Sequence, residues 1–142
     1  MRPLYESAHD RMNESNVSDI LSSAWKCKFV KLPISYHVDW MLLRNNEIVA
    51  FAELKTRKVS STQYPTLILS LNKWMKGLDL ANTTGKPFII IAKWTDGIFY
   101  FFARPDGVTF GYGGRIDRKD SQDMEPVAFI NTKNFIKVKE NL

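Results

Sequence analysis

The 142-residue sequence contains one cysteine, Cys27. A lone cysteine excludes an internal disulfide and a cysteine-rich zinc site. No apolar run approaches the ~18 residues that would span a membrane. The first residues carry no signal-peptide pattern. The expectation is a soluble, intracellular protein of the cytoplasm with no membrane partner. There is no internal repeat, low-complexity tract or linker, so residues 1–142 read as a single domain with room for a sizeable core. Gly111, Gly113 and Gly114 make no phosphate loop, because no Gly-Lys-Ser/Thr follows and no helical pattern begins there. One further absence is local. Residues 54–76 include Lys55, Arg57, Lys58, Lys73 and Lys76 and not a single acid.

Aromatic and aliphatic residues are plentiful, at 44% hydrophobic overall, so the chain should fold. The net charge is +5 and the pI about 9.4. That balance suits a polyanion, and the acid-free run is where phosphate would be attracted. A solvated helix face beside a basic loop explains the same run equally well.

The informative stretch is residues 36–58. Two apolar runs, 36–43 and 48–54, flank Arg44-Asn45-Asn46-Glu47, and asparagine tolerates the positive φ of a tight turn, so a hairpin is expected. Asp39, Glu53 and Lys55 interrupt the apolar pattern. Glu53 and Lys55 are two apart and share a strand face. A two-residue turn at Asn45-Asn46 would pair Asp39 with Ala52 and separate the carboxylates. A three-residue turn over 45–47 pairs Asp39 with Glu53, and this register is the one adopted. It puts Val38, Trp40, Leu42, Ile48, Ala50, Ala52 and Leu54 on one face. Met41, Leu43, Val49 and Phe51 fall on the other. Both faces are then largely buried, as in a sheet covered on each side. Two buried carboxylates side by side repel, and a divalent cation with oxygen ligands is the usual remedy. Such an ion activates water and neutralises phosphate, while Lys55 orients the water or stabilises developing charge.

Around the hairpin, residues 3–25 read as a helix, with Val17, Ile20, Leu21 and Ala24 at helical spacing. Glu14 lies three before Val17 and seven before Leu21, on that stripe. Glu6 is a rival acid. Residues 26–34 read as a short edge strand ending at Pro33. The polar stretch 57–66 reads as a loop beside the site. Residues 67–84 read as a second helix with Leu67, Leu71, Trp74, Met75, Leu78 and Ala81 buried and Gly85 and Pro87 at its end; Ser70 is a candidate N-cap. Lys73 and Lys76 fall off that stripe. Residues 88–94 have the look of a central strand. Thr95-Asp96-Gly97 turns the chain into 98–104, and Pro105-Asp106-Gly107 turns it into 108–112. Residues 115–125 read as an exposed loop, 127–130 as a last strand, and Asn131 as the cap of a terminal turn.

Asp39, then Glu53-Leu54-Lys55 at the end of the next strand, resembles the PD-(D/E)XK nuclease superfamily. Val38 stands where that pattern has proline. The order helix, three strands, helix, strand also matches, over roughly residues 10–94. The resemblance implies an α/β fold: a restriction-endonuclease-like mixed sheet with helices on both faces, core order αβββαβ, with extra C-terminal strands here. It implies a Mg²⁺- or Mn²⁺-dependent endonuclease hydrolysing nucleic acid, DNA favoured. Asp39 and Glu53 would hold the ion, with the Leu54 carbonyl a further ligand. Lys55 would position water, and Glu14 would complete the metal site from the first helix. His37, Arg57, Lys58, Gln63, Tyr64, Lys73 and Lys76 are the expected nucleic-acid contacts. A homodimer is allowed by the resemblance alone. The run Lys31-Leu32-Pro33, Asp39, Glu53-Leu54-Lys55, Tyr64-Pro65-Thr66 and Leu71-Asn72-Lys73-Trp74 is similar to small bacteriophage proteins, which would make the compartment the host cytoplasm. Two other readings stand beside this one: a binding module of the same fold without turnover, and a structural protein in which the hairpin charges form a buried ion pair.

Overall fold

The structure is a computed structural model. It describes residues 8–113 and 125–139, with side chains of the first helix from residue 16 onward. The expected exposed loop at 115–125 lies outside the described residues except for Glu125. Helix α1 (Ala8–Trp25) leads into β1 (Lys28–Lys31), a 3-10 turn (Ile34–Tyr36), β2 (Trp40–Arg44) and β3 (Glu47–Thr56). Then come β4 (Thr66–Ser70), α2 (Leu71–Thr84), β5 (Phe88–Trp94), β6 (Gly97–Phe102), β7 (Val108–Gly113), β8 (Glu125–Asn131), a 3-10 turn (Thr132–Asn134) and β9 (Ile136–Lys137). Among the described residues no helix is long and apolar enough to cross a membrane.

Six strands form the main sheet in the order β1-β2-β3-β5-β6-β9. β3 and β5 run parallel, and every other neighbouring pair is antiparallel. A parallel pair needs a crossover, and α2 supplies it. β5 at the centre is apolar on both faces. Ile89 and Ile91 pack toward α1 with Val17, Leu21, Trp40, Leu42, Ala50, Ala52 and Leu54. Phe88, Ile90, Ala92 and Trp94 pack the other way, with Phe51 and Trp74 of α2. Burying each such side chain stabilises the fold by about 1.5–3 kcal/mol. α2 approaches β5 closely at Gly77, where an added Cβ would lie 2.1 Å from the Phe88 ring.

The hairpin departs from expectation in its turn. Asn45 and Asn46 take φ of 52° and 62°, and Arg44 pairs with Glu47, so the turn has two residues and the type I′ form. A β-bulge follows: Leu43 pairs with Ile48 and Leu42 with Ala50, leaving Val49 as the extra residue. The bulge reverses the faces of Ile48 and Val49. Ile48 packs on the α2 side and Val49 on the α1 side. Val38, before the strand begins, also packs on the α2 side.

Residues 66–70 are a strand, not the first turn of a helix. Their ladder partner is β8, some sixty residues later, in a three-stranded sheet β4-β8-β7 that packs on the α2 side. α2 begins where Ser70 Oγ accepts a hydrogen bond from Lys73 N–H, the N-cap role expected of it. Met75, expected in the buried stripe, is 54% exposed. Asn131 does cap the last 3-10 turn, by accepting from Lys133 N–H.

Candidate active site

The β2–β3 ladder ends at Trp40 and Ala52, and one step further the same register sets Asp39 opposite Glu53. The bulge restores the alignment that a two-residue turn alone would have lost. Asp39 lies just outside the strand. Its carbonyl accepts from Leu32 N–H at 2.8 Å, and its Oδ2 accepts from Leu54 N–H at 3.2 Å. The carboxylate thereby satisfies a strand N–H at the point where β2 can no longer do so. On β3 the alternation Phe51, Glu53, Lys55 points all three to the α2 side. Phe51 is core, and Glu53 next to it is fully buried.

Lys73, from the first turn of α2, reaches this pair. Its Nζ is 2.6 Å from Glu53 Oε1 and 3.9 Å from Asp39 Oδ1, and Lys55 Nζ is 3.4 Å from the same Glu53 oxygen. The second oxygen, Oε2, is buried and has no hydrogen-bond partner. Burial first, and the Asp39 charge second, raise the Glu53 pKa, while Lys55 and Lys73 oppose the rise. Burial lowers the Lys55 pKa despite the pull of Glu53. Burial also opposes charge on Lys73, but Glu53 and Asp39 outweigh it and raise its pKa. The two lysines therefore differ. Lys73 is held as a cation, and Lys55 is eased toward losing its proton.

Other residues singled out in the sequence have these places. Glu14 lies on α1, whose Val17 and Leu21 pack on the sheet face opposite Glu53; its own side chain is outside the described ones. Glu6 is outside the described residues. His37 takes a left-handed φ of 60°, and its Nδ1 is 3.2 Å from Asn72 Nδ2 at the start of α2. Arg57, Lys58 and Tyr64 line a cleft of about 410 Å³ with Pro65, Trp94 and Thr132. Gln63 is exposed and is not in that lining. Ser61 pins the loop to the β5–β6 turn: its N–H donates to Asp96 Oδ1 at 2.8 Å and its hydroxyl to Oδ2 at 2.6 Å. Lys76 is exposed one turn beyond Lys73. Lys73 among the carboxylates is the residue that periodicity missed. The signal was the Ser70 cap, which places Lys73 in the first helical turn.

Among the described residues no group of three or more His, Cys, Asp or Glu side chains comes together. Asp39 and Glu53 nevertheless form an all-oxygen donor pair, and the unpartnered Oε2 of Glu53 is a buried acceptor with nothing to accept. Such a set fits a hard divalent cation.

A family model described as "Phage putative PDDEXK endonuclease" matches residues 1–138. No curated protein matches the chain. Among solved structures, a Holliday junction resolvase from the archaeal hyperthermophile Archaeoglobus fulgidus superimposes with a TM-score of 0.57 at 11% identity, covering 93% of each chain. That likeness is one of fold: a restriction-endonuclease-like mixed sheet, to which this chain adds strands at its C-terminal end. With nearly its whole length matched by the family model, the chain belongs to the phage PDDEXK endonuclease family.

Proposed function

We propose that the protein is a divalent-metal-dependent nuclease that hydrolyses phosphodiester bonds, with DNA as its substrate. One observation carries the reading: a fully buried Glu53 with an unpartnered oxygen, beside Asp39 and Lys55, within the central parallel pair. Asp39 Oδ1, Glu53 and the Leu54 carbonyl would hold Mg²⁺ or Mn²⁺, with Glu14 assisting from α1. Bound there, the ion would supply Lewis-acid polarisation of a phosphoryl oxygen and a more acidic water. Lys55 stands beside Glu53 with a quarter of its side chain open to solvent, and its lowered pKa suits an amine that positions the attacking water and exchanges a proton with it. Arg57, Lys58 and Tyr64 would take the flanking phosphates and a base along the adjoining cleft, with Gln63 next to Tyr64, His37 beside Asn72 at the start of α2 and Lys76 further along α2 as other contacts.

The test is incubation with single-stranded, double-stranded and branched DNA in Mg²⁺, Mn²⁺, Ca²⁺ or EDTA. Cleavage in Mg²⁺ or Mn²⁺ that EDTA abolishes is the expected result. Salt-sensitive binding with no cleavage under any condition would overturn it. That outcome would select the second reading, a binding module of the same fold, which the ion pairing of Lys73 with both carboxylates favours.

A further inference from the structure

Glu53 carries two ammonium groups on one oxygen and nothing on the other. This is an unequal use of a buried carboxylate. A small multivalent ion between Glu53 and Asp39 has free coordination positions and no stem to satisfy. Lys73 comes from a neighbouring helix and reaches close to one Glu53 oxygen, and only within 3.9 Å of Asp39. Its side chain is 32% exposed, and its backbone is secured independently by the Ser70 cap. The ammonium can therefore leave the carboxylates by rotation of its own stem, with α2 intact. Lys55 is the more enclosed of the two lysines, with 23% of its side chain exposed against 32% for Lys73.

We propose that Lys73 is a displaceable counter-ion. In the metal-free protein it pairs with Glu53 and, at longer range, with Asp39. It cedes that place to a divalent cation and presents its ammonium to a backbone phosphate of the nucleic acid. The inference rests on reading Asp39 and Glu53 as metal ligands. It gives Lys73 two successive partners of the same charge sign, so with nucleic acid bound the positive charge stays compensated. It also links the two ligands. Without nucleic acid, ion uptake must break the Lys73–Glu53 pair with no replacement for it. With nucleic acid present, Lys73 gains a phosphate in exchange. Each ligand then tightens the other, by the same factor in both directions.

The experiment is calorimetric titration of Mn²⁺ or Ca²⁺ into the full chain and into Lys73→Met and Lys73→Arg, with and without an uncleavable phosphorothioate oligonucleotide. Lys73→Met should bind the ion about 5- to 50-fold more tightly than wild type when no oligonucleotide is present, within the usual span of coupled sites. Its ion affinity should no longer respond to the oligonucleotide. Lys73→Arg, which keeps the charge, should behave as wild type. A second measurement uses the unaltered protein: amine acylation read by peptide mass spectrometry should label Lys73 several-fold faster once Ca²⁺ is added, with Lys55 unchanged. Unchanged or weaker ion affinity in folded Lys73→Met, or Lys73 labelling indifferent to Ca²⁺, overturns the proposal and leaves the nuclease reading standing. If wild type and Lys73→Met both take up no divalent ion, the metal-site reading and this inference fall together.

Discussion

The two faces of β3 come from one strand and obey opposite rules. Toward α1 it presents Ala50, Ala52 and Leu54, sealed under Val17 and Leu21 with no charge among them. Toward α2 it presents Phe51, Glu53 and Lys55, core at one end and charge at the other. The difference lies in what covers each face. The first is closed by apolar helix side chains. The second is shared between α2, the small sheet and a charged end where α2 contributes Lys73 instead of another apolar residue. A sheet can thus keep one face for stability and open one end of the other for chemistry, with the strand's alternation separating the two.

The comparison is broken most severely by moving charge to the wrong face. Ala52→Glu places an unpaired carboxylate under α1, and should cost about 3–5 kcal/mol or more, enough to leave little folded protein by circular dichroism. Glu53→Gln and Asp39→Asn act on the other face, and should reduce cleavage to background while the far-ultraviolet spectrum stays native. Full activity in either purified variant would sink the assignment of the pair. Lys55→Ala should lower kcat about 100-fold or more, as expected when a group that positions water and exchanges a proton with it is removed, with DNA affinity little changed. Equal losses in rate and affinity would make Lys55 a phosphate contact only. Lys58→Gln with Lys76→Gln should weaken binding to every sequence alike and reduce the salt slope by about 1 for each lysine that meets a phosphate. An unaltered slope would place both away from the substrate.

The smallest effect concerns the loop beside the site. Two hydrogen bonds from Ser61 hold the Asp96 pKa below its ordinary 3.8. A depressed carboxylate stabilises the fold above its ordinary value, and the benefit is lost as pH falls through the lower folded value. Hydrogen exchange at the Ser61 amide should therefore lose protection on the acid side of pH 3.8. Asp96→Ala should show the weaker protection at every pH.

Much of the hairpin was legible because each feature is local. Asn45-Asn46 announces a turn, residues 88–94 are too apolar for anything but an interior strand, and Asp39, Glu53 and Lys55 stand out as charges in apolar runs. The alignment of Asp39 with Glu53 was reached in the sequence through a longer turn; the structure reaches it through a short turn and a bulge. One residue had to be absorbed somewhere, and carboxylate patterning alone does not say where. Residues 66–70 misled for a related reason. Leu67 and Leu71 satisfy a helical spacing, and Leu67 and Leu69 satisfy a strand spacing equally well.

Short windows of sequence carried the turn chemistry, the central strand, the Ser70 cap and the acid and base types available for a site. Three outcomes belong to the packed chain. β4 became a strand because β8, distant in sequence, offered a ladder for its backbone groups. The bulge sent Val49 under α1 and Ile48 toward α2. Lys73 became part of the carboxylate cluster because the α2 crossover brings the first turn of that helix over the end of β3. All three depend on contacts between segments far apart in the chain. Such contacts form only when burial repays the entropy of bringing the segments together, a balance that no short window of sequence contains.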